Sequence, residues 1–114
     1  MNTKIVFRGM DHSDPMEKYA RGQLAKIEEF LSNERTPISI NLILEPSKVH
    51  EHHKVELLVK TPNYNRISHY EGPTFYEVMD RVIDVMYREL HEDKKKNLDK
   101  RKTQGRHGDF KKQR

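Results

Sequence analysis

Ten of the last 21 residues of this chain are Lys or Arg, and two are Asp or Glu. Lys94, Lys95 and Lys96 form one cluster and Lys100, Arg101 and Lys102 a second, with Arg88 one to two helical turns earlier. Ammonium and guanidinium groups at this density neutralise a polyanion and release its counterions. The rest of the chain has the opposite sign: residues 1–45 sum to −1 and residues 46–93 to −3, while residues 94–114 sum to +8, for a net charge of +4. A mildly acidic body with a strongly basic end points to a polyanionic partner. The plainer alternative is a solvated tail that only aids solubility.

Other chemistry is poorly represented. The run His50-Glu51-His52-His53 could place His50 and His52 on one side of an extended backbone, with His69 approaching from a neighbouring strand. It lacks the HExxH spacing of a zinc protease, and there is no cysteine to support a structural zinc site, so a polar hairpin is the expected reading and no metal or cofactor is expected. Asp80 and Asp84 share a helical face, but Arg88 lies four residues beyond Asp84 and should hold it in an ordinary ion pair. Glu28 and Glu29 are adjacent and diverge. Without a Gly-rich phosphate loop or a nucleophile–histidine–acid pattern, neither an enzyme nor a small-molecule substrate is expected.

These cations must be carried by a domain of one core, since 114 residues do not suffice for two. Hydrophobic content of 33% against 35% charged residues leaves part of the chain without apolar surface to bury. No apolar run is long enough to span a membrane, and the N-terminus enters Lys4-Ile5-Val6-Phe7 without a signal-peptide core, so a cytoplasmic protein is expected. Thr3–Arg8 alternates as a strand, with Ile5 and Phe7 on one face. Ser13 is a good N-cap, and Pro15 early in the first turn gives up no hydrogen bond. A helix follows over Asp14–Leu31 with the stripe Met16, Ala20, Leu24, Ile27 and Leu31.

Ile38–Leu44 and Val55–Lys60 alternate as strands joined by a polar connection through His50–Lys54. Thr61-Pro62-Asn63 is a tight turn. A last strand over Tyr64–Glu71 could face inward through Ile67 and His69 or through Ser68 and Tyr70, and the pattern leaves both open. Thr74 with Glu77 three residues on forms a capping box that starts a long helix, whose stripe is Phe75, Val78, Met79, Val82, Met86 and Leu90. Regular helix is expected to about Lys96, with fraying toward Lys102 and disorder from Gln104 to Arg114. The result is an α+β fold, β-α-β-β-β-α, with a four-stranded sheet, both helices on one face and a basic C-terminal extension. The folded domain is expected over 1–96 and the basic tail over 97–114.

The order α-β-β-β-α is also that of the double-stranded RNA-binding domain. That module needs cations at the start of its last helix, where this chain has Glu77 and Asp80, so that mode is disfavoured. No aromatic pair on the strands points to reading of single-stranded RNA.

Several segments in order resemble another family. Leu24-Ala25-Lys26-Ile27-Glu28 is similar to a Leu-Ala-Lys-Leu-Glu segment, with Ser13 at a usual Ser/Thr cap and Thr61-Pro62-Asn63 at a shared turn. Thr74–Asp80 is similar to Asp-Met-Tyr-Ala-Ala-Ile-Asp, keeping Tyr76 and Asp80, and Asp84, Arg88, Leu90, Lys94 and Lys96 fall on matching positions. These segments, spread over residues 3 to 96, resemble the ribosome hibernation promoting factor family, also called ribosome-associated inhibitor A or sigma-54 modulation protein, in its short form. The resemblance implies a non-enzymatic factor that binds the small ribosomal subunit and its rRNA. It would sit in the mRNA/tRNA channel and silence translation under stress or in stationary phase. Pairing of ribosomes by a short form would need a separate ribosome modulation factor. Lys26, Arg88, Lys94 and Lys96 would inherit the phosphate contacts, joined by Lys95, Lys100, Arg101 and Lys102 from the basic run.

The chain departs from the family pattern at Gln23 and Val85, where cations are common, at Glu29 and Glu92, and at Arg66, which stands in place of an apolar residue. More of the phosphate binding is therefore expected from the helix end. The alternative function is a protein-interaction module that regulates transcription or another factor, with the basic tail only solvated.

Overall fold

The computed structural model describes residues 1–48 and 51–113, the side chains from 99 onward excepted. The elements follow in the order β1 (Asn2–Phe7), α1 (Asp14–Leu31), β2 (Ser39–Pro46), β3 (His53–Lys60), β4 (Asn65–Gly72) and α2 (Phe75–Gln113). This is the β-α-β-β-β-α order of an α+β fold. α2 runs to Gln113, beyond the end near Lys96 expected from the sequence, and the side chains of Lys100, Arg101 and Lys102 lie outside those described.

The four strands form one sheet in the order β1-β2-β3-β4. β1 runs parallel to β2, so the chain must cross over between them, and α1 makes that crossover. The two later pairings are antiparallel hairpins. In the first hairpin the pairing continues through Glu45 opposite Lys54 and Pro46 opposite His53. His53 and Lys54 therefore belong to β3 rather than to the polar connection, because the backbone ladder extends past the last apolar pair.

Alternation along the strands puts Ile40, Leu42 and Leu44 of β2 and Val55, Leu57 and Val59 of β3 on the helix side, all of them fully buried. α1 covers them with Ala20, Leu24, Ile27 and Leu31, and α2 with Val78, Met79, Val82, Ile83, Met86 and Leu90. Ser13 caps α1 by accepting the Met16 amide at 3.4 Å. Thr61 ties the β3–β4 turn, its hydroxyl accepting the amides of Asn63 at 3.1 Å and Tyr64 at 2.9 Å.

The open question in β4 is decided by register. Leu57 pairs with Ser68, and paired residues share a face, so Arg66, Ser68, Tyr70 and Gly72 turn toward the helices while Ile67 is 57% exposed. The small residues let α2 come close. The Ser68 hydroxyl donates to the Val82 carbonyl at 3.4 Å, and a Cβ on Gly72 would stand 2.8 Å from Cγ2 of Val78. Val78 is β-branched and buried, so it has little freedom to yield. Gly72→Ala is expected to lower unfolding free energy by about 1–3 kcal/mol through overpacking, which urea denaturation would measure.

Candidate nucleic-acid interface

α1 and α2 lie side by side on the sheet, and their contacts advance together along both helices. Tyr19 donates a hydrogen bond to Asp80 at 2.7 Å, Lys26 pairs with Asp84, and Phe30 meets Tyr87 and then His91. Residue numbers rise in step, so the two helices run parallel and bring their C-terminal halves to the same end. That arrangement places Lys26 of α1 on the same side of the molecule as the cations of α2.

Lys26 is more engaged than its sequence position implied. Its ammonium lies 2.5 Å from Asp84 Oδ1 and 5.1 Å from the centroid of the Tyr87 ring. Asp84 therefore pairs across the helices with Lys26 instead of with Arg88 along its own helix. A shorter reach from the adjacent helix displaces the expected local pair. Arg88 is exposed and has no ion pair among the described residues, and the same holds for Lys95. Arg88 and Lys95 are seven residues apart, which returns them to one line on the outer face of α2, about 10 Å apart.

Lys94 points toward α1, its ammonium 5.4 Å from the Phe30 centroid. Between Lys26 and Lys94 lies an aromatic seam. Phe30 to His91 and Tyr87 to His91 are each 4.5 Å between centroids, and Tyr64 closes the inner side 6.0 Å from Phe30. Ring faces hold both ammonium groups; that of Lys26 is also paired with Asp84, whereas that of Lys94 has no carboxylate partner among the described residues and keeps its charge for a further partner. Phe30, Tyr87 and His91 were not among the residues marked by charge. The spacing of Tyr87 and His91, four apart on α2, is the trace they leave in the sequence.

On the opposite side of α2, Arg66 reaches from β4. Its Nε and Nη2 donate to the two Asp93 carboxylate oxygens at 2.7 and 2.8 Å, and Nη1 donates to Glu89 at 3.4 Å. The bond from Arg66 holds the Asp93 carboxyl below the usual carboxylate range, with Lys96 adding to the effect, while Asp93 in turn raises the pKa of the guanidinium. Lys96 is exposed beside this pair. Of the expected phosphate ligands, the fold thus exposes Arg88, Lys94, Lys95 and Lys96 on the C-terminal part of α2 and sets Lys26 beside Asp84 and Tyr87 on the neighbouring helix.

A shallow groove of mixed charge adjoins these cations, lined by Glu77, Asp80, Arg81, Asp84 and Arg88 with Tyr70 and Val85, so that Arg88 borders it and Asp84, which holds Lys26, lies within it. Tyr19, bonded to Asp80, has its phenol pKa raised by that carboxylate. Of the histidine run, His50 lies outside the described residues. His53 stacks on Phe75 with centroids 3.9 Å apart, and among the described residues no group of three or more His, Cys, Asp or Glu could hold a metal. No helix among the described residues is long and apolar enough to cross a membrane.

Residues 3–98 match the family model described as Sigma 54 modulation protein / S30EA ribosomal protein. The chain belongs to this family. That is the family its sequence resembles under the name of hibernation promoting factors. Solved structures share the fold: the N-terminal domain of Protein Y from Thermus thermophilus matches with a TM-score of 0.66 at 19% identity, covering 79% of this chain and 96% of that one. A ribosomal subunit interface protein from Coxiella burnetii matches with a TM-score of 0.66 at 18% identity, covering 82% and 98%. Among curated proteins, no sequence matches the chain.

The Arg66–Asp93 pair generates a pH prediction. Because the carboxyl pKa is lowered by folding, its contribution is present above the unfolded value of about 3.9 and is lost as pH falls through the folded value. Asp93→Asn is expected to be about 1 kcal/mol less stable near neutrality, a Tm lower by about 4 °C. Calorimetry across pH should show the difference from wild type closing in strong acid.

Proposed function

We propose that this protein binds the small ribosomal subunit through rRNA phosphates and occupies the channel used by mRNA and tRNA. In doing so it silences translation in the cytoplasm under stress or in stationary phase. The observation that carries the reading is the exposure of Arg88, Lys94, Lys95 and Lys96 along the C-terminal part of α2, with Lys26 held beside that helix by α1. A rigid surface carrying exposed cations is suited to a channel built for RNA. Membership of a family described as an S30EA ribosomal protein, and a fold shared with a ribosomal subunit interface protein, support the ribosome as the polyanion. Lys100, Arg101 and Lys102 would extend the same contact along the chain. Occlusion needs no bond-making step, so the protein acts by affinity alone, without a cofactor. Any pairing of silenced ribosomes would be the work of a separate modulation factor.

Sucrose-gradient sedimentation with intact ribosomes at low salt checks the reading. The protein is expected in the small-subunit and ribosome fractions, and a protein that stays at the top of the gradient overturns it. Charge reversal of Lys94, Lys95 and Lys96 together should weaken binding and flatten its salt dependence. The slope of log affinity against log salt should fall by roughly 0.7 to 0.9 for each phosphate that is no longer neutralised.

A further inference from the structure

We infer that Arg66 masks two carboxylates within the RNA-facing end of α2, and so sets how strongly that end attracts a polyanion. The inference rests on the proposed binding of rRNA phosphates. From Arg88 to Lys96 the helix carries four cations and three carboxylates, a net charge of only one. The guanidinium of Arg66 forks onto Asp93 and also reaches Glu89, which doubles the local net charge and occupies the carboxylate oxygens that would otherwise face an incoming phosphate. All three groups sit at the solvent margin, with side chains 33% exposed for Arg66, 33% for Glu89 and 21% for Asp93. Unmasked acids there would lie within about 10 Å, one Debye length, of anything bound to the neighbouring lysines.

Stability does not account for an arginine at this place. The position faces the helices, in step with Ser68 and Tyr70, where an apolar side chain would gain most of the ~1.5–3 kcal/mol that full burial contributes. A partly exposed ion pair contributes about 0–1 kcal/mol. Arginine gives up burial and supplies charge where α2 leaves the sheet, just past Leu90, the last fully buried residue of its stripe. The planar fork is the geometry that holds one carboxylate with two bonds while leaving a third donor for its neighbour.

The test compares Arg66→Gln, Arg66→Lys and the triple variant Arg66→Gln/Glu89→Gln/Asp93→Asn, each checked for folding by circular dichroism. Affinity for purified small ribosomal subunits is measured over a salt series, and elution salt from immobilised heparin is measured in parallel. Arg66→Gln is expected to bind roughly tenfold more weakly at low salt, with the difference shrinking as salt rises. Arg66→Lys should stay close to wild type, and the triple variant should recover wild-type affinity or exceed it, because the acids to be masked are gone. If the triple variant binds as weakly as Arg66→Gln, Arg66 is a structural staple and the inference is overturned. Unchanged binding by Arg66→Gln overturns it equally. If wild type binds heparin but not subunits, the ribosomal reading fails, while the order of elution on heparin still decides for or against the masking.

Discussion

The molecule depends on the burial of one helical face, that of α2, across β3 and β4. Val78, Met79, Val82, Ile83, Met86 and Leu90 supply the apolar contact, and Ser68 and Gly72 supply the room for it. Each large side chain buried in this way contributes about 1.5–3 kcal/mol, so the set exceeds any polar interaction in the chain. Its consequence is geometric. Once α2 lies in that groove, its outer faces are assigned: one side meets α1, the other meets the edge of β4, and the remaining arc faces solvent.

Each of those sides handles charge differently. Toward α1, aromatic rings and one carboxylate hold Lys26 and Lys94. Toward β4, Arg66 cancels acids that lie among the lysines. The solvent arc keeps Arg88 and Lys95 without a salt bridge among the described residues. A net charge of +4 for the whole chain is therefore a poor guide to what a partner meets. The field at the end of the helix pair is set by which acids are already occupied, and at short range that outweighs the sum over the chain.

The family likeness and the physical reading reach different depths. Matching over residues 3–98 establishes the family, and solved structures below 20% identity establish the fold. Neither assigns a contact to a residue. The proposed phosphate-binding roles rest on exposure, charge and the parallel arrangement of the helices, and on the position of Arg66 beside Asp93 and Glu89.

The sequence by itself determined the order of the elements, the bounds of α1, the stripes of both helices and the concentration of cations at the chain's end. Those follow from periodicity and composition, which are local properties. Only the tertiary structure decided which face of β4 turns inward, because Ile67/His69 and Ser68/Tyr70 alternate equally well and the choice lies in the register with β3. The partner of Asp84 was likewise beyond local reasoning: spacing named Arg88, whereas the packing of α1 beside α2 brought Lys26 within 2.5 Å. The same holds for Arg66, whose fork onto Asp93 joins residues 27 apart in the chain. Charge marks a residue from its type alone, but whether that charge is satisfied within the molecule or left for a partner depends on neighbours that only the fold supplies.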